Sequence, residues 1–320
     1  MKKIRLSVRI ITYNHERYIA QALDSILMQK TDFPFEICLG EDDSSDGTRE
    51  ICKRYAEKYP EKIRLFLRSR NDVIYIKGRP SGRFNFLETL KACRGEFMAF
   101  LDGDDYWTDP EKLQRQVDYL DAHPECVGCF HWTMLSPEAG DSNPVNHIKI
   151  GPLSIKNQYD MDDLLEQGMF IHSSSSVVRS KYCVSLPPWI RSVEALDFPL
   201  HIILAENGYF GFIDECMSVY RLQPGGDYAK LSRTGQLKLR KRIYCSMGRE
   251  MYLSRRRSFK RGLRLVKAAL FFEYLLMLFP KPLRRRIAAY MDVSRRRKIR
   301  KIYIRLYGIM SGMKKRHECV

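Results

Sequence analysis

Long apolar runs are missing from this chain. A membrane-spanning helix needs roughly 20 consecutive apolar residues, whereas the longest candidate, Ala268 to Phe279, has 12 and is interrupted by Glu273. The start, Met1-Lys-Lys-Ile-Arg-Leu-Ser-Val-Arg9, carries charge where a secretory signal is apolar, so secretion is not expected. Glycine-rich phosphate loops are missing too: no Gly-x-Gly-x-x-Gly follows the first apolar run and no Gly-Lys-Ser/Thr occurs. A nucleotide held here therefore needs its phosphates neutralised by a metal instead. The nine cysteines include one close pair, Cys126-Val-Gly-Cys129, with no second pair to complete a zinc site. Phe130 and Trp132 beside that pair suggest a strand, and buried reduced thiols of a cytosolic protein are the reading that fits.

Acidic residues are nearly absent from one part of the chain. After Asp227, 28 Lys and Arg stand against 4 Asp and Glu, while residues 1–227 hold 27 against 34. The formal charge of +17 thus conceals an acidic body and a cationic tail. A tail of that density seeks phosphate, as nucleic acid or as anionic lipid. With 320 residues, 44% of them hydrophobic, the chain is long enough for one large domain plus an appendage. The breaker Gln223-Pro-Gly-Gly-Asp227 sets the expected boundary, giving domains 1–227 and 228–320.

The body alternates two periodicities. Ile4 to Thr12 reads as a strand, and Tyr18, Ile19, Ala22, Leu23, Ile26 and Leu27 recur at helical spacing. Strands are expected at Phe35 to Leu39, Ile63 to Leu67 and Glu96 to Leu101, with helices at Thr48 to Tyr59, around Phe84 to Leu90, and at Pro110 to Ala122 with its Pro in the first turn. Beyond a loop at Leu135 to Asn146, helices are expected at Asp160 to Gln167 and Asp197 to Glu206. Strands are expected around Ser174 to Arg179, at Phe210 to Ile213 and at Met217 to Leu222. The pattern predicts βαβ units and a largely parallel sheet covered on both faces.

Ligands of such sheets bind beyond the carboxyl ends of the strands. Those ends read Thr12-Tyr13-Asn14, Glu41-Asp42-Asp43-Ser-Ser-Asp46-Gly47-Thr48 and Asp102-Gly103-Asp104-Asp105. Asp46 and Thr48 suit helix capping; capping does not explain Glu41 and Asp42. Carboxylates at 102, 104 and 105 repel one another unless a cation intervenes. Mg²⁺ or Mn²⁺, bound through one or two carboxylates plus substrate phosphates, relieves that repulsion; a merely solvated turn is the other reading.

These motifs, with Arg83-Phe-Asn85, resemble the family 2 glycosyltransferases of the GT-A fold, over residues 1 to roughly 226. The resemblance implies an α/β nucleotide-diphospho-sugar transferase fold, Rossmann-like, with a mainly parallel sheet and flanking helices. It implies a nucleotide-sugar donor, a UDP-sugar, with Asp42 and neighbouring Glu41 at the base and Thr12, Tyr13, Asn14, Arg83 and Gly103 around the donor. Asp102 and Asp104 then hold ribose and a divalent ion on the diphosphate. The segment Glu194-Ala-Leu-Asp197-Phe-Pro-Leu200 resembles the acceptor side, which makes Asp197 the general base; its bland alternative is a helix N-cap. Glu194 and His172 fall near the acceptor, His172 being equally readable as a strand-end residue. Gln223 stands where many members carry a His, and no metal contact is assigned to it. The implied activity is inverting transfer to a glycan or lipid-linked hydroxyl in bacterial cell-surface polysaccharide or lipopolysaccharide assembly. The alternative is an inactive nucleotide-binding protein held to membrane or nucleic acid by its tail.

In that tail Ile299, Ile302, Tyr303, Leu306, Tyr307 and Met310 share one helical face inside a basic surround, and Leu283, Ile287, Tyr290 and Met291 repeat the design. A basic face opposite an apolar one suits a helix lying in lipid headgroups, so residues 255–316 are expected on an anionic membrane surface, with the protein cytoplasmic and peripheral on its inner face. Packing on the body is the bland reading, and nucleic acid is disfavoured because it needs no apolar stripes.

Overall fold

The alternation Leu6-Ser-Val-Arg-Ile-Ile-Thr12 forms β1 (Leu6–Thr12), whose Leu6, Val8 and Ile10 pack with Ile19, Leu23 and Ile26 of α1 (Ile19–Leu27). Each such buried side chain contributes about 1.5–3 kcal/mol over its exposed state. In the computed structural model residues 3–137, 148–222 and 231–277 are described. Contacts divide the chain into two compact units, Met1–Pro224 and Gly225–Val320.

The first unit continues with β2 (Phe35–Glu41), α2 (Thr48–Lys58), β3 (Ile63–Leu67), a hairpin of β4 (Ile74–Ile76) and β5 (Arg79–Ser81), α3 (Arg83–Ala92) and β6 (Phe97–Asp102). It then forms β7 (Tyr106–Trp107), α4 (Lys112–Ala122), β8 (Cys126–Pro137), β9 (Ile148–Ile150), β10 (Gln158–Tyr159), α5 (Met161–Gln167), β11 (Val177–Arg179), α6 (Asp197–Leu204) and β12 (Tyr209–Leu222). The main sheet runs β10-β12-β8-β11-β6-β1-β2-β3, with β7 on β12 and β9 on β8. Strands β6, β1, β2 and β3 are mutually parallel, as are β8 and β12; β11 runs antiparallel between β6 and β8. Even-numbered β1 residues face α1, α2 and α4, whereas Arg9 lies against Phe86 of α3.

Four expectations are adjusted. Helix α4 starts at Lys112, because Pro110 gives its carbonyl to Lys30 N and Asp109 Oδ1 accepts from Glu111 N before the helix begins. The segment Ser173–Ser175 is a single 3₁₀ turn, and the strand that follows is only Val177–Arg179. Helix α6 ends at Leu204, and a 3₁₀ turn, Ala205–Asn207, follows it. The two strands read after residue 209 are one, β12, whose register shifts between Ile213 and Cys216, where Asp214 and Glu215 point outward. Cys126 and Cys129 are buried, unpaired thiols that burial pushes up to about 11 and about 12, so they stay protonated.

The second unit contains α7 (Arg233–Glu250) and α8 (Arg257–Met277), joined by a short link. Ile243, Tyr244, Met247, Phe259, Val266 and Leu270 are buried. At Gly248 a Cβ would meet Phe259 Cζ at 2.6 Å, so only glycine lets that ring in. Among the described residues no helix is long and apolar enough to cross a membrane. Leu135 to Pro137, read as the start of the loop Leu135 to Asn146, instead end β8 paired to β12, while the rest of that loop, Gln223 and the amphipathic faces at 283–291 and 299–310 lie outside the described residues.

Candidate active site

Parallel pairing brings three strand ends together. Thr12 sits opposite Glu41 and Ile11 opposite Asp102, so the polar segments after β1, β2 and β6 share one edge. The backbone confirms a built edge: Asp42 N donates to Thr12 O at 3.0 Å, and Gly103 N to Ile11 O at 2.9 Å. A Cβ at Gly103 would lie 2.5 Å from Thr12 Oγ1, so this turn closes only with glycine.

The acidic residues after β2 divide their work. Glu41 is fully buried and spent on the loop: Oε1 accepts from Ser44 N at 2.7 Å, and Oε2 takes Arg49 Nε at 2.5 Å. Asp42 faces Arg70, whose Nη1 lies 2.9 Å from Oδ2; burial and, less strongly, neighbouring Glu41 still push Asp42 up to about 6. The Arg70 guanidinium also covers the exposed Tyr13 ring at 4.4 Å. Asn14, in the left-handed region at φ 53°, ties the loops by accepting from Ser45 N at 2.9 Å. Tyr13 and Asp42, bridged by Arg70, thus form one wall of the edge.

The second wall is carboxylate. Asp102 ends β6 with its side chain about a third exposed, 3.5 Å from Arg9 Nη2 and 3.5 Å from Ser173 Oγ. Asp104 is raised by burial, opposed by His15, whose Nε2 stands 3.9 Å away, and raised further by Asp102. Asp105 is buried beneath them and raised well above the usual range by burial and by Asp104 and Asp102; it accepts from Arg221 N at 3.1 Å. Arg221 Nη1 donates to Asp104 O at 2.5 Å, and its guanidinium stacks 4.4 Å over Tyr106. Among the described residues no group of three or more His, Cys, Asp or Glu forms a metal cage by itself. Two neighbouring carboxylates that repel one another are a donor set suited to a hard divalent ion whose remaining ligands are phosphate oxygens and water.

Asp197 opens α6 as its first helical residue. The N-cap position belongs to Leu196 and carries no side-chain cap bond, so the capping alternative has no bond behind it. Among the described residues the Asp197 carboxylate accepts no hydrogen bond, and burial, with Asp102 adding like charge, raises it to about 6 against Arg9 and Arg83. Arg9 is 1% exposed, with its Nε and Nη1 unpartnered, packed 4.2 Å over Phe86. Arg83, lowered by burial to about 10, lies near enough to Asp197 for the two charges to attract. It donates through Nη1 to Ile190 O and through Nη2 to Val193 O at 2.8 Å, tying down the segment that leads to Asp197. Asn85 likewise serves structure, donating to Gly40 O at 2.9 Å.

Glu194 pairs with Lys77 Nζ at 2.9 Å, joining the Asp197 segment to the β4–β5 hairpin. His172 lies in the floor: Nδ1 is 2.7 Å from Ser174 Oγ, Nε2 is 3.9 Å from Asp105, and its ring is 4.5 Å from that of Tyr220. Burial lowers it to about 4, so it is neutral near pH 7. Arg9, His15 and Arg70 were not singled out from the sequence, and Asp105 was read only as one of three repelling carboxylates. A lone arginine at an inward position of an apolar strand was the available signal for Arg9; the others meet the site only through folding.

Residues 7–183 match the family described as Glycosyl transferase family 2, and the chain belongs to that family. The chain is 38% identical over 221 residues to an uncharacterised protein of Mycobacterium tuberculosis, a match covering 69% of this chain and 60% of that relative's length. Its structure is similar to that of Staphylococcus aureus TarS residues 1–349 in complex with UDP-GlcNAc (TM-score 0.56, 19% identity, 84% of this chain and 72% of the other). It is also similar to the mannosyltransferase PcManGT of Pyrobaculum calidifontis in complex with GDP-Man and Mn²⁺ (TM-score 0.55, 18% identity, 99% and 88%). The fold is that of the GT-A glycosyltransferases.

Proposed function

We propose that this glycosyltransferase moves a sugar, with inversion, from a UDP-sugar to a hydroxyl of a glycan or lipid-linked acceptor in cell-surface polysaccharide assembly. The observation that carries the reading is Asp197: a half-buried carboxylate raised to about 6 that accepts no hydrogen bond among the described residues, beside the Asp102 carboxylate at the strand ends. A general base works best when its pKa lies near the operating pH. Asp197 accepts the proton of the acceptor hydroxyl, the oxygen attacks the anomeric carbon, and the bond from that carbon to the diphosphate oxygen breaks, its electron pair leaving with the nucleoside diphosphate. A single displacement inverts the centre.

Asp42 and Tyr13 receive the base and Asp102 the ribose, while Gly103 lets the chain approach closely. Asp104 and Asp102 are the residues that would hold Mn²⁺ or Mg²⁺, and the ion would supply Lewis-acid neutralisation of the leaving diphosphate. Arg83 and Glu194 fix the segment bearing Asp197, and neutral His172 supports the floor beneath it. The nucleotide sugars named with TarS and PcManGT support the donor class. TarS, a poly(ribitol-phosphate) β-N-acetylglucosaminyltransferase 34% identical over 123 residues, supports a cell-surface acceptor. The basic residues from 255 to 316 hold the protein on the anionic inner face of the membrane.

The test is release of nucleoside diphosphate from a panel of nucleotide sugars, with Mn²⁺ and with chelator. The reading expects one donor to be turned over only with metal. Turnover unaffected by chelation contradicts the Asp102 and Asp104 roles, and binding without any turnover favours the inactive nucleotide-binding alternative.

A further inference from the structure

The second unit contains a pocket of about 480 Å³ between α7 and α8 that the transfer reading does not use. Lys238, Lys241 and Arg242 enter it from consecutive turns of α7, and Lys267 from α8. Spacings of three and four residues put the α7 cations on one helical face. The opposite wall is apolar: Leu270 is buried, while Phe271 and Tyr274 are 42% and 47% exposed. Lys238 Nζ lies 5.6 Å over the Tyr274 ring, and among the described residues Lys238, Lys241 and Lys267 have no carboxylate partner. Among the described residues no acidic side chain lines the pocket.

Exposed aromatic rings beside clustered cations are costly in water on both counts: the rings are left wet and the like charges repel. A free phosphate answers only the second problem. An anionic glycerophospholipid answers both, its phosphodiester among Lys238, Lys241 and Lys267 and its glycerol and acyl carbons against Phe271, Tyr274 and Leu270. We propose that the α7–α8 pocket is a binding site for the headgroup of an anionic membrane phospholipid. This deepens the membrane reading above and rests on it, replacing a diffuse attraction along residues 255–316 with one defined seat.

The experiment sediments the full chain with vesicles of phosphatidylcholine alone or with phosphatidylglycerol added. Lys241→Gln/Lys267→Gln is compared with Arg233→Gln/Arg249→Gln, which removes equal charge from exposed positions of α7 outside both the pocket and residues 255–316. At the usual contribution of a cation near an anionic surface, the pocket variant is expected to bind phosphatidylglycerol vesicles roughly 30-fold more weakly, and the control less than about threefold. Equal losses in the two variants overturn the site while leaving membrane attachment standing; wild-type binding that ignores phosphatidylglycerol overturns the membrane reading itself.

A second readout needs no variant. Cys245, exposed at the pocket, is mapped by thiol labelling and peptide mass analysis. Phosphatidylglycerol vesicles should slow its modification at least fivefold, and phosphatidylcholine vesicles should leave it unchanged. Vesicle binding with Cys245 still fully reactive overturns the site. Protection by soluble glycerol phosphate at the same phosphate concentration replaces it with a small-phosphate site.

Discussion

Replacing Asp197 by asparagine should make the protein more stable while silencing it. Burial and the nearby Asp102 raise this carboxyl from its ordinary 3.8 to about 6, net of the attraction of Arg9 and Arg83. A folded-state value above the unfolded one means that the folded protein prefers the protonated form. The preference adds stability below pH 3.8, and that stability is lost as the pH rises through about 6. At about 1.4 kcal/mol per tenfold change in acidity, holding Asp197 ionised costs about 3 kcal/mol at pH 7.5. Asparagine, close in shape to the neutral acid, avoids that cost. For a domain of this size, where 1 kcal/mol corresponds to about 2–4 °C, the variant should melt about 6–12 °C higher at pH 7.5. By pH 4 the gap should close, because the wild-type carboxyl is then protonated. The assay is calorimetric melting of both proteins from pH 4 to pH 8 without substrate. A variant no more stable than wild type at pH 7.5, or a gap independent of pH, refutes the account of this carboxylate as strained.

The same titration predicts that kcat/KM rises about tenfold per pH unit up to about pH 6 and then levels, the carboxylate being the working form; a profile flat from pH 5 to pH 7 removes Asp197 as the base. Asp104→Ala should raise the dissociation constant for the donor at least tenfold in the presence of Mn²⁺ and abolish its metal dependence, as read by calorimetric titration. Glu41→Gln breaks a buried ion pair with Arg49 and should lose about 3 kcal/mol in urea unfolding, an effect that a base-contacting residue of minor structural importance does not show. Gly103→Ala, driving a methyl against Thr12, should displace the Asp102–Asp104 turn and weaken donor binding at least tenfold, with the melting temperature falling by only a few degrees.

The parallel half of the fold was legible because its strands are rich in Val, Ile, Leu and Phe and end abruptly in polar residues, and β1, β2 and β6 carry those polar ends to one edge for that reason. Two- and three-residue pieces such as β7, β9 and β10 were not legible, since so short a run carries no period. The division of work between adjacent carboxylates was hidden as well. Glu41 and Asp42 look equivalent in a row, yet one turns into the loop toward Arg49 and the other toward Arg70. Arg83 beside Asn85 suggests a donor contact, whereas its guanidinium meets carbonyls more than a hundred residues away. Long-range partners of this kind leave no local mark, and Arg9 shows the converse, a charge in an apolar strand whose oddity is visible at once and whose neighbours are not.

The central claim is an inverting transfer in which Asp197 takes the acceptor proton. It is tested most directly by incubating the full chain, and its Asp197→Asn form, with the nucleotide sugar it turns over and an acceptor, following anomeric configuration by NMR. The account predicts that the wild-type product has the configuration opposite to the donor, and that Asp197→Asn forms none while binding the donor within about twofold of wild type. A product of retained configuration, or turnover by Asp197→Asn near the wild-type rate, contradicts it.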